Sequence, residues 1–456
     1  MARFFSFVLC AILLSTSSVA APASSAKTSS STTTTVVTSS STASIASGTS
    51  SAPNASETVP LASDNPNNPE WNVTTSEDPQ PIRGSLGATI MAEQNIPLQQ
   101  QNPDLLAPPT TDSGMLPGGN AKWPFSLSSN RLQTGGWARQ QNIHQMPIAT
   151  SMAGVDMRLE AGAIRELHWH KTSEWAFVLS GYVQVTSVDQ LGRNYLDTVG
   201  PGDLWYFPPG IPHSLQATDQ NPDGCEFLLV FDNGDFSEDS TFQLTDWLAH
   251  TPKEVIAKNF GTTISAWNNL PGKELYIFPA APPSPDATAV KDPAGQVPNP
   301  FTFKMSNMSA TPLAGGSVKI VDSRTFKAST TIAVADVTVE PGGMRELHWH
   351  PTQDEWTYYI SGTGRVTEFA SSGTAQTFDY EAGDIGFVPA TYGHYVENIG
   401  NDTLHFLEIF NTDIFQDVSL QQWLSLIPPQ LVQEHLGLSS ETISHFNKTK
   451  QVVVGP

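Results

Sequence analysis

What most constrains this 456-residue chain is an internal duplication with a period of about 180 residues. Arg165-Glu166-Leu167-His168-Trp169-His170 returns as Arg345-Glu346-Leu347-His348-Trp349-His350. His168 and His348 lie 180 residues apart and His213 and His394 lie 181 apart, so the two frames differ by one inserted residue. The match runs on through Leu244, Trp247, Leu248 and Pro252, echoed by Leu420, Trp423, Leu424 and Pro428. A repeat of this length means two copies of one fold, and the chain is long enough to hold both.

Between the histidine segments the pattern is that of strands. Stretches such as Glu174 to Val185 and Glu355 to Val366 are rich in aromatic and β-branched residues and are broken by Gly181 and Gly362. Turn signals recur about every ten residues, which favours an antiparallel sandwich or barrel over βαβ units. The expected class is therefore all-β. Helical periodicity is confined to segments near Phe242 to Phe260 and Leu420 to Leu438, one after each histidine-bearing unit.

The repeated residues also carry chemistry. In a strand, residues two apart face the same side, so His168 and His170 converge on one point, as do His348 and His350. Glu174 with His213, and Glu355 with His394, are expected to arrive from later strands. The one-residue insertion before Glu355 falls in a turn, which absorbs it. Six of the chain's 11 histidines are used in these two sets. Three neutral imidazoles and one carboxylate around a divalent ion leave a net charge of about +1 and, at six-coordination, roughly two open positions. Such a site suits a small chelating anion with water or dioxygen. The carboxylate tilts the choice from zinc towards manganese or iron.

Composition narrows the surroundings. With Asp+Glu at 44, Lys+Arg at 22 and a formal charge of −22, nucleic acid and anionic membranes are excluded as natural partners. Arg3, the apolar run Phe4 to Leu14 and the small residues Ser18-Val19-Ala20 read as a secretory signal, residues 1–20. No later stretch is apolar and long enough to span a bilayer. Of two cysteines, Cys10 leaves with the signal and Cys225 stands alone, so the mature chain has no intrachain disulfide. Residues 21–78 are Ser/Thr-rich and read as disordered. Sequons begin at Asn54, Asn72, Asn307, Asn401 and Asn447, as in a secreted, extracellular glycoprotein. Residues 79–124 are expected to form an extended arm, 125–278 the first domain, 279–300 a Pro-rich linker and 301–456 the second domain.

These residues resemble the cupin superfamily. Its first motif, G(x)5HxH(x)3-4E(x)6G, fits Gly162 to Gly181 and Gly342 to Gly362. Its second, G(x)5PxG(x)2H(x)3N, is met by Gly202, Pro208, Gly210 and His213 with Ala217 in place of Asn. The second copy meets it with Gly383, Pro389, His394 and Asn398, with Thr391 in place of Gly. Within the superfamily the chain is similar to the two-domain oxalate decarboxylases over roughly residues 80 to 450, including Phe236-Ser237-Glu238-Asp239-Ser240-Thr241-Phe242. The resemblance implies two tandem jelly-roll β-barrels with short helical segments after each. It also implies two manganese ions per chain, dioxygen as catalytic co-substrate, a trimer or hexamer, and conversion of oxalate to formate and carbon dioxide.

It further implies roles. Arg165 and Arg345, three residues before the first histidine ligand, would hold and polarise a carboxylate substrate; a surface salt bridge with Glu166 or Glu346 is the plainer alternative. Glu238 stands where the family carries its general acid, on a loop over the first metal. Asp239, where bacterial relatives commonly carry Asn, adds a carboxylate that would raise that acid's pKa by like-charge repulsion. Glu408 matches the acid proposed for the second site and, alternating with Phe406 and Phe410, should point inward. Trp169 and Trp349, between ligand histidines, must face away from the metal, to pack or, less expectedly, to pass electrons between subunits. The competing functions are a germin-type oxalate oxidase, which lacks the glutamate loop, a flavonol dioxygenase, and a storage protein, which would not keep eight ligands.

Overall fold

The computed structural model describes Ile90 and residues 115–456. The expected signal segment, the Ser/Thr-rich stretch and the rest of the expected arm before residue 115 lie outside the described residues, as do Cys10, Asn54 and Asn72.

Each half builds two sheets that face each other across an apolar interior. In the first half a seven-stranded sheet runs, in spatial order, Thr302–Phe303, Leu204–Phe207, Glu174–Ser180, Cys225–Phe231, Ala153–Leu159, Gly136–Gln141 and Arg131–Gln133. It packs against a sheet ordered Phe242–Gln243, Ile164–Trp169, His213–Ala217, Val183–Val188 and Asn194–Val199, with Ile277–Phe278 also pairing with Ile164–Trp169. The second half repeats both sheets, from Leu404–Phe410 at the centre of one to Met344–Trp349 and Gly393–Asn398 in the other. The sheets are antiparallel, the strand order is that of a jelly roll, and the expected all-β class is met.

The halves are not closed separately. Lys122–Pro124, from the arm, pairs with Asp384–Val388 of the second barrel, and Thr302–Phe303, just past the linker, pairs with Leu204–Phe207 of the first. Each half thus completes the other's edge and leaves fewer unpaired strand groups. Phe125 packs against Trp356 and Tyr358, Trp356 donates its indole N–H to Gln141 at 2.7 Å, and the buried residues of both halves form one continuous core. The linker is pinned to the first barrel, where the Asn194 backbone N–H donates to Asp292 at 2.8 Å.

Four of the five α-helices fall where periodicity places them, and Ser440–Ser444 lies beyond the expected end at Leu438. Leu244–Ala249 and Lys253–Phe260 follow the first barrel, and Leu420–Leu426, Pro429–Leu436 and Ser440–Ser444 follow the second. Pro252 and Pro428 divide each pair, because proline suits a helix start and not its interior. Among the described residues no helix is long and apolar enough to cross a membrane, and Cys225 is buried and unpaired.

Gly181 and Gly362 show why each hairpin breaks where it does. Both have positive φ, 72° and 83°, and a Cβ on Gly181 would lie 2.1 Å from the Gly224 carbonyl oxygen. The motif departures are absorbed differently. Thr391 adopts the left-handed φ of 72° that Gly210 reaches at 76° in the first copy. Asn398 donates its amide to the Val339 and Asp402 carbonyls, bonds that Ala217, fully buried, replaces by packing.

Candidate metal centres

In the first barrel His168, in Ile164–Trp169, stands directly across the ladder from His213, which opens His213–Ala217. His170 follows the end of the first of these strands, and Glu174 opens Glu174–Ser180 in the facing sheet. The second barrel repeats this with His348 opposite His394, His350 just past its strand, and Glu355 opening Glu355–Ser361. All eight residues are buried, and the four ligand atoms of each set lie within 4.8 Å of one another. The ligands chosen from sequence come together as two complete sets.

Every imidazole is aimed by its other nitrogen. Nδ1 meets a backbone carbonyl in all six cases: His168 with Glu166 at 2.5 Å, His170 with Thr172 at 2.8 Å, His213 with Ile211 at 2.8 Å. In the second barrel the partners are Glu346 at 2.6 Å, Gln416 at 2.9 Å and Tyr392 at 3.0 Å. Carbonyls only accept, so Nδ1 carries the proton and each Nε2 presents a lone pair to the centre.

The donor atoms fit a divalent ion. Nε2 of His350 and His394 lie 2.8 and 3.3 Å from Oε2 of Glu355, and with both Nδ1 atoms protonated these contacts set lone pair against lone pair, an arrangement that costs free energy unless a cation lies among them. Electrostatics agree. Burial, then Arg165 and His213, hold His168 well below its ordinary pKa; burial, Arg345 and His394 do the same to His348, so both are neutral ligands. Burial works against an ionised Glu174, but His213 and His170 hold its carboxyl well below the usual range, and His350 and His394 do so for Glu355. A hard carboxylate with three imidazoles suits manganese or iron.

Around these sets the barrels diverge. Arg165, 1% exposed, donates from Nη2 to Glu238 at 2.9 Å and from Nη1 to Gln243 at 3.3 Å. Glu238 sits on the single turn Glu238–Ser240, capped by Ser237, and its own N–H donates to Gln140 at 2.9 Å. Tyr276, whose hydroxyl burial and the Glu238 charge push well above its ordinary pKa, donates to the same Glu238 oxygen at 3.0 Å. Asp239 points away: its side chain is 78% exposed and pairs with Arg131 at 3.1 Å. A cavity of about 390 Å³ lies beside this turn, lined by Ser129, Asn130, Arg131, Gln140, Glu238 and Tyr276 among others.

Arg345, by contrast, is fixed on two carboxylates, Glu408 at 3.0 Å and Asp417 at 2.9 Å. Glu408 is fully buried in Leu404–Phe410 and does point inward. Burial pushes its carboxyl up, with Arg345 opposing. Register places Leu229 at the corresponding point of the first barrel, since Leu229 pairs with Val155 and Ala176 as Glu408 pairs with Ala335 and Thr357. Glu166 and Glu346 bond to neighbouring segments instead of the arginines: Glu166 accepts from the N–H groups of Thr245, Leu275 and Tyr276, and Glu346 from the Ser419 hydroxyl and the Val452 N–H.

Sequence reasoning did not single out Tyr276, Gln243 or Asp417. Gln243 and Ser419 do occupy equivalent places, opposite His168 and His348, which the repeat could have revealed; Tyr276 and Asp417 had no comparable signal. Trp169 and Trp349 face outward, the first stacked on Phe242 at 5.6 Å and edge-on to Trp247, the second edge-on to Trp423 at 5.6 Å.

Comparison with known proteins places this architecture. The cupin family profile matches residues 127–266 and 307–444. The chain is 56% identical over 377 residues to oxalate decarboxylase OxdC of Bacillus subtilis, covering 82% of this chain and 97% of that one. It is 41% identical over 383 residues to a probable oxalate decarboxylase of Arthroderma benhamiae, covering 82% and 93%. A solved structure of the Bacillus subtilis enzyme, described for its Mn(II) centres, superposes with a TM-score of 0.75 at 54% identity, covering 83% of this chain and 99% of that one. The chain therefore belongs to the cupin superfamily and, within it, to the two-domain oxalate decarboxylases.

Proposed function

We propose that the chain converts oxalate and one proton to formate and carbon dioxide, with manganese in both barrels and the chemistry in the first. The observation that carries this reading is the buried Arg165–Glu238 pair beside His168, His170, Glu174 and His213, with Glu238 on a turn bordering a cavity.

Manganese, when bound, supplies a Lewis-acid anchor with open positions for oxalate and for dioxygen as co-substrate. The chain's residues do the rest. The planar Arg165 guanidinium binds the substrate carboxylate bidentately and draws charge from the breaking carbon–carbon bond. Gln243 and Tyr276 hold the arginine and the acid in register. Loss of carbon dioxide leaves a reduced one-carbon fragment, and a proton from Glu238 to its carbon completes formate. Without that proton the fragment is open to oxidation, which gives a second carbon dioxide and hydrogen peroxide. The test is product analysis: formate in near-equal amount to oxalate consumed supports the reading, and peroxide as the main product would make the chain an oxalate oxidase.

The same reading covers location and assembly. A signal at residues 1–20 and exposed Asn307, Asn401 and Asn447 support a secreted, extracellular glycoprotein. Exposed Leu167 and Trp247, matched by Leu347 and Trp423 on the second half, support a homo-oligomer, a trimer or hexamer. The working division remains a first domain at 125–278 and a second at 301–456, joined at 279–300 and each borrowing an edge strand.

A further inference from the structure

One carboxylate inside the second barrel has no hydrogen-bond partner among the described residues. Glu368 is fully buried, and neither of its oxygens meets a hydrogen-bond donor. It lies on Gly364–Phe369 directly across the ladder from His394, on the inward face it shares with buried Gly364 and Val366. The corresponding position in the first barrel, opposite His213, is Ser187. A buried carboxylate without donors takes up a proton unless a cation compensates its charge, and burial with the neighbouring Glu355 charge pushes the Glu368 carboxyl well up in the chain alone. Arg345 is already paired with Glu408 and Asp417, and His394 turns its Nδ1 to the Tyr392 carbonyl. What remains is an ion held by His348, His350, Glu355 and His394.

We infer that Glu368 is a positioning residue that serves the second metal through its charge, making the second barrel hold its ion more tightly than the first. Glu368 is not among the four residues whose ligand atoms lie within 4.8 Å of one another, so it acts from outside the ligand set. Three imidazoles and Glu355 leave a divalent ion at a net charge of about +1; a second carboxylate brings the site to about zero. The first barrel, with Ser187, keeps its positive charge and with it the attraction for a dianionic substrate. The second barrel trades that attraction for retention of metal. This rests on the reading of the second set as a manganese site.

The test is manganese retention against increasing chelator in the full-length protein carrying His170→Ala, so that only the second site fills. Glu368→Gln, equal in size and uncharged, should weaken retention about 10- to 100-fold, the range found when groups that support metal ligands are removed. Glu368→Asp should retain most of the affinity, and the manganese EPR spectrum of the glutamine variant should differ from the parent's. The metal-free variant should melt no lower than the metal-free parent, while the rise in Tm on adding manganese shrinks. Glu368→Met, which fills the space without polar atoms, gives the same readout if the glutamine variant does not fold. Parent-like retention in Glu368→Gln, or an equal loss of Tm with and without metal, overturns the inference alone. Failure of the His170→Ala parent to take up manganese would instead overturn the reading of the second site, and this inference with it.

Discussion

In the first barrel Arg165 reaches an acid carried by a loop turn, Glu238, while in the second Arg345 is bound to Glu408 within the barrel wall and to Asp417 beside it. The two metal sets are otherwise built alike, each imidazole aimed by a backbone carbonyl, although His170 uses Thr172 where His350 uses the distant Gln416. Both acids are buried and paired with an arginine, but their supports differ: Glu238 sits on a short turn that borders a cavity, whereas Glu408 sits in the middle of a strand of the barrel wall. This difference is the ground for proposing turnover in the first barrel. The second arginine, held by two carboxylates, is also less free to bind a third.

The sharpest way to break this comparison is to remove each acid in turn. Glu238→Ala should lower formate production by about 10²- to 10⁴-fold, the usual contribution of a general acid, with manganese content unchanged and peroxide rising. Glu238→Gln should behave similarly. Glu408→Gln should leave formate production within a few-fold of the parent, on the order of the effect of a remote site. The opposite ranking in a steady-state formate assay would assign catalysis to the second barrel.

Next in size is the clamp. Arg345→Met leaves Glu408 buried without its cation, while Asp417 keeps Lys450, and should destabilise the protein by about 3–5 kcal/mol, read as a lower midpoint in denaturant. If stability were unchanged, the second arginine would be free for substrate after all, and the contrast between the barrels would weaken.

Arg165→Lys keeps the charge and loses the planar fork. Turnover should fall on the order of tenfold or more while manganese content stays at the parent level. Arg345→Lys should change turnover much less. Comparing kcat for the two variants, with metal content measured on the same samples, decides between the sites independently of the acids.

The smallest effect tests the fold. Thr391 holds a left-handed φ of 72° where the first barrel has Gly210. Thr391→Gly should therefore stabilise by about 1 kcal/mol, and Gly210→Thr should destabilise by a similar amount, both visible as shifts in Tm. In both copies the backbone N–H at this point donates to the carbonyl of a ligand histidine, His350 or His170, so the pair also reports on how stiffly each site is held.

Much of this protein was written in its sequence, because the facts concerned are local. Strand periodicity alone brings His168 and His170 to one point, and the repeat supplies Glu174, His213 and the whole second set. Gly181, Gly362, Pro252 and Pro428 punctuate the chain through their own backbone preferences. The tertiary structure decided what depends on the path of the chain between distant segments. Arg165 meets Glu238 across 73 residues, and Arg345 meets Glu408 across 63. Tyr276 and Asp417 complete these groups although nothing in their neighbourhood in sequence marks them. The same holds for the exchange of Lys122–Pro124 and Thr302–Phe303 between barrels, and for Glu368, which reads as an ordinary strand glutamate until the register sets it opposite His394. Periodicity reports which way a side chain points, but only the closed sheets determine what lies in front of it.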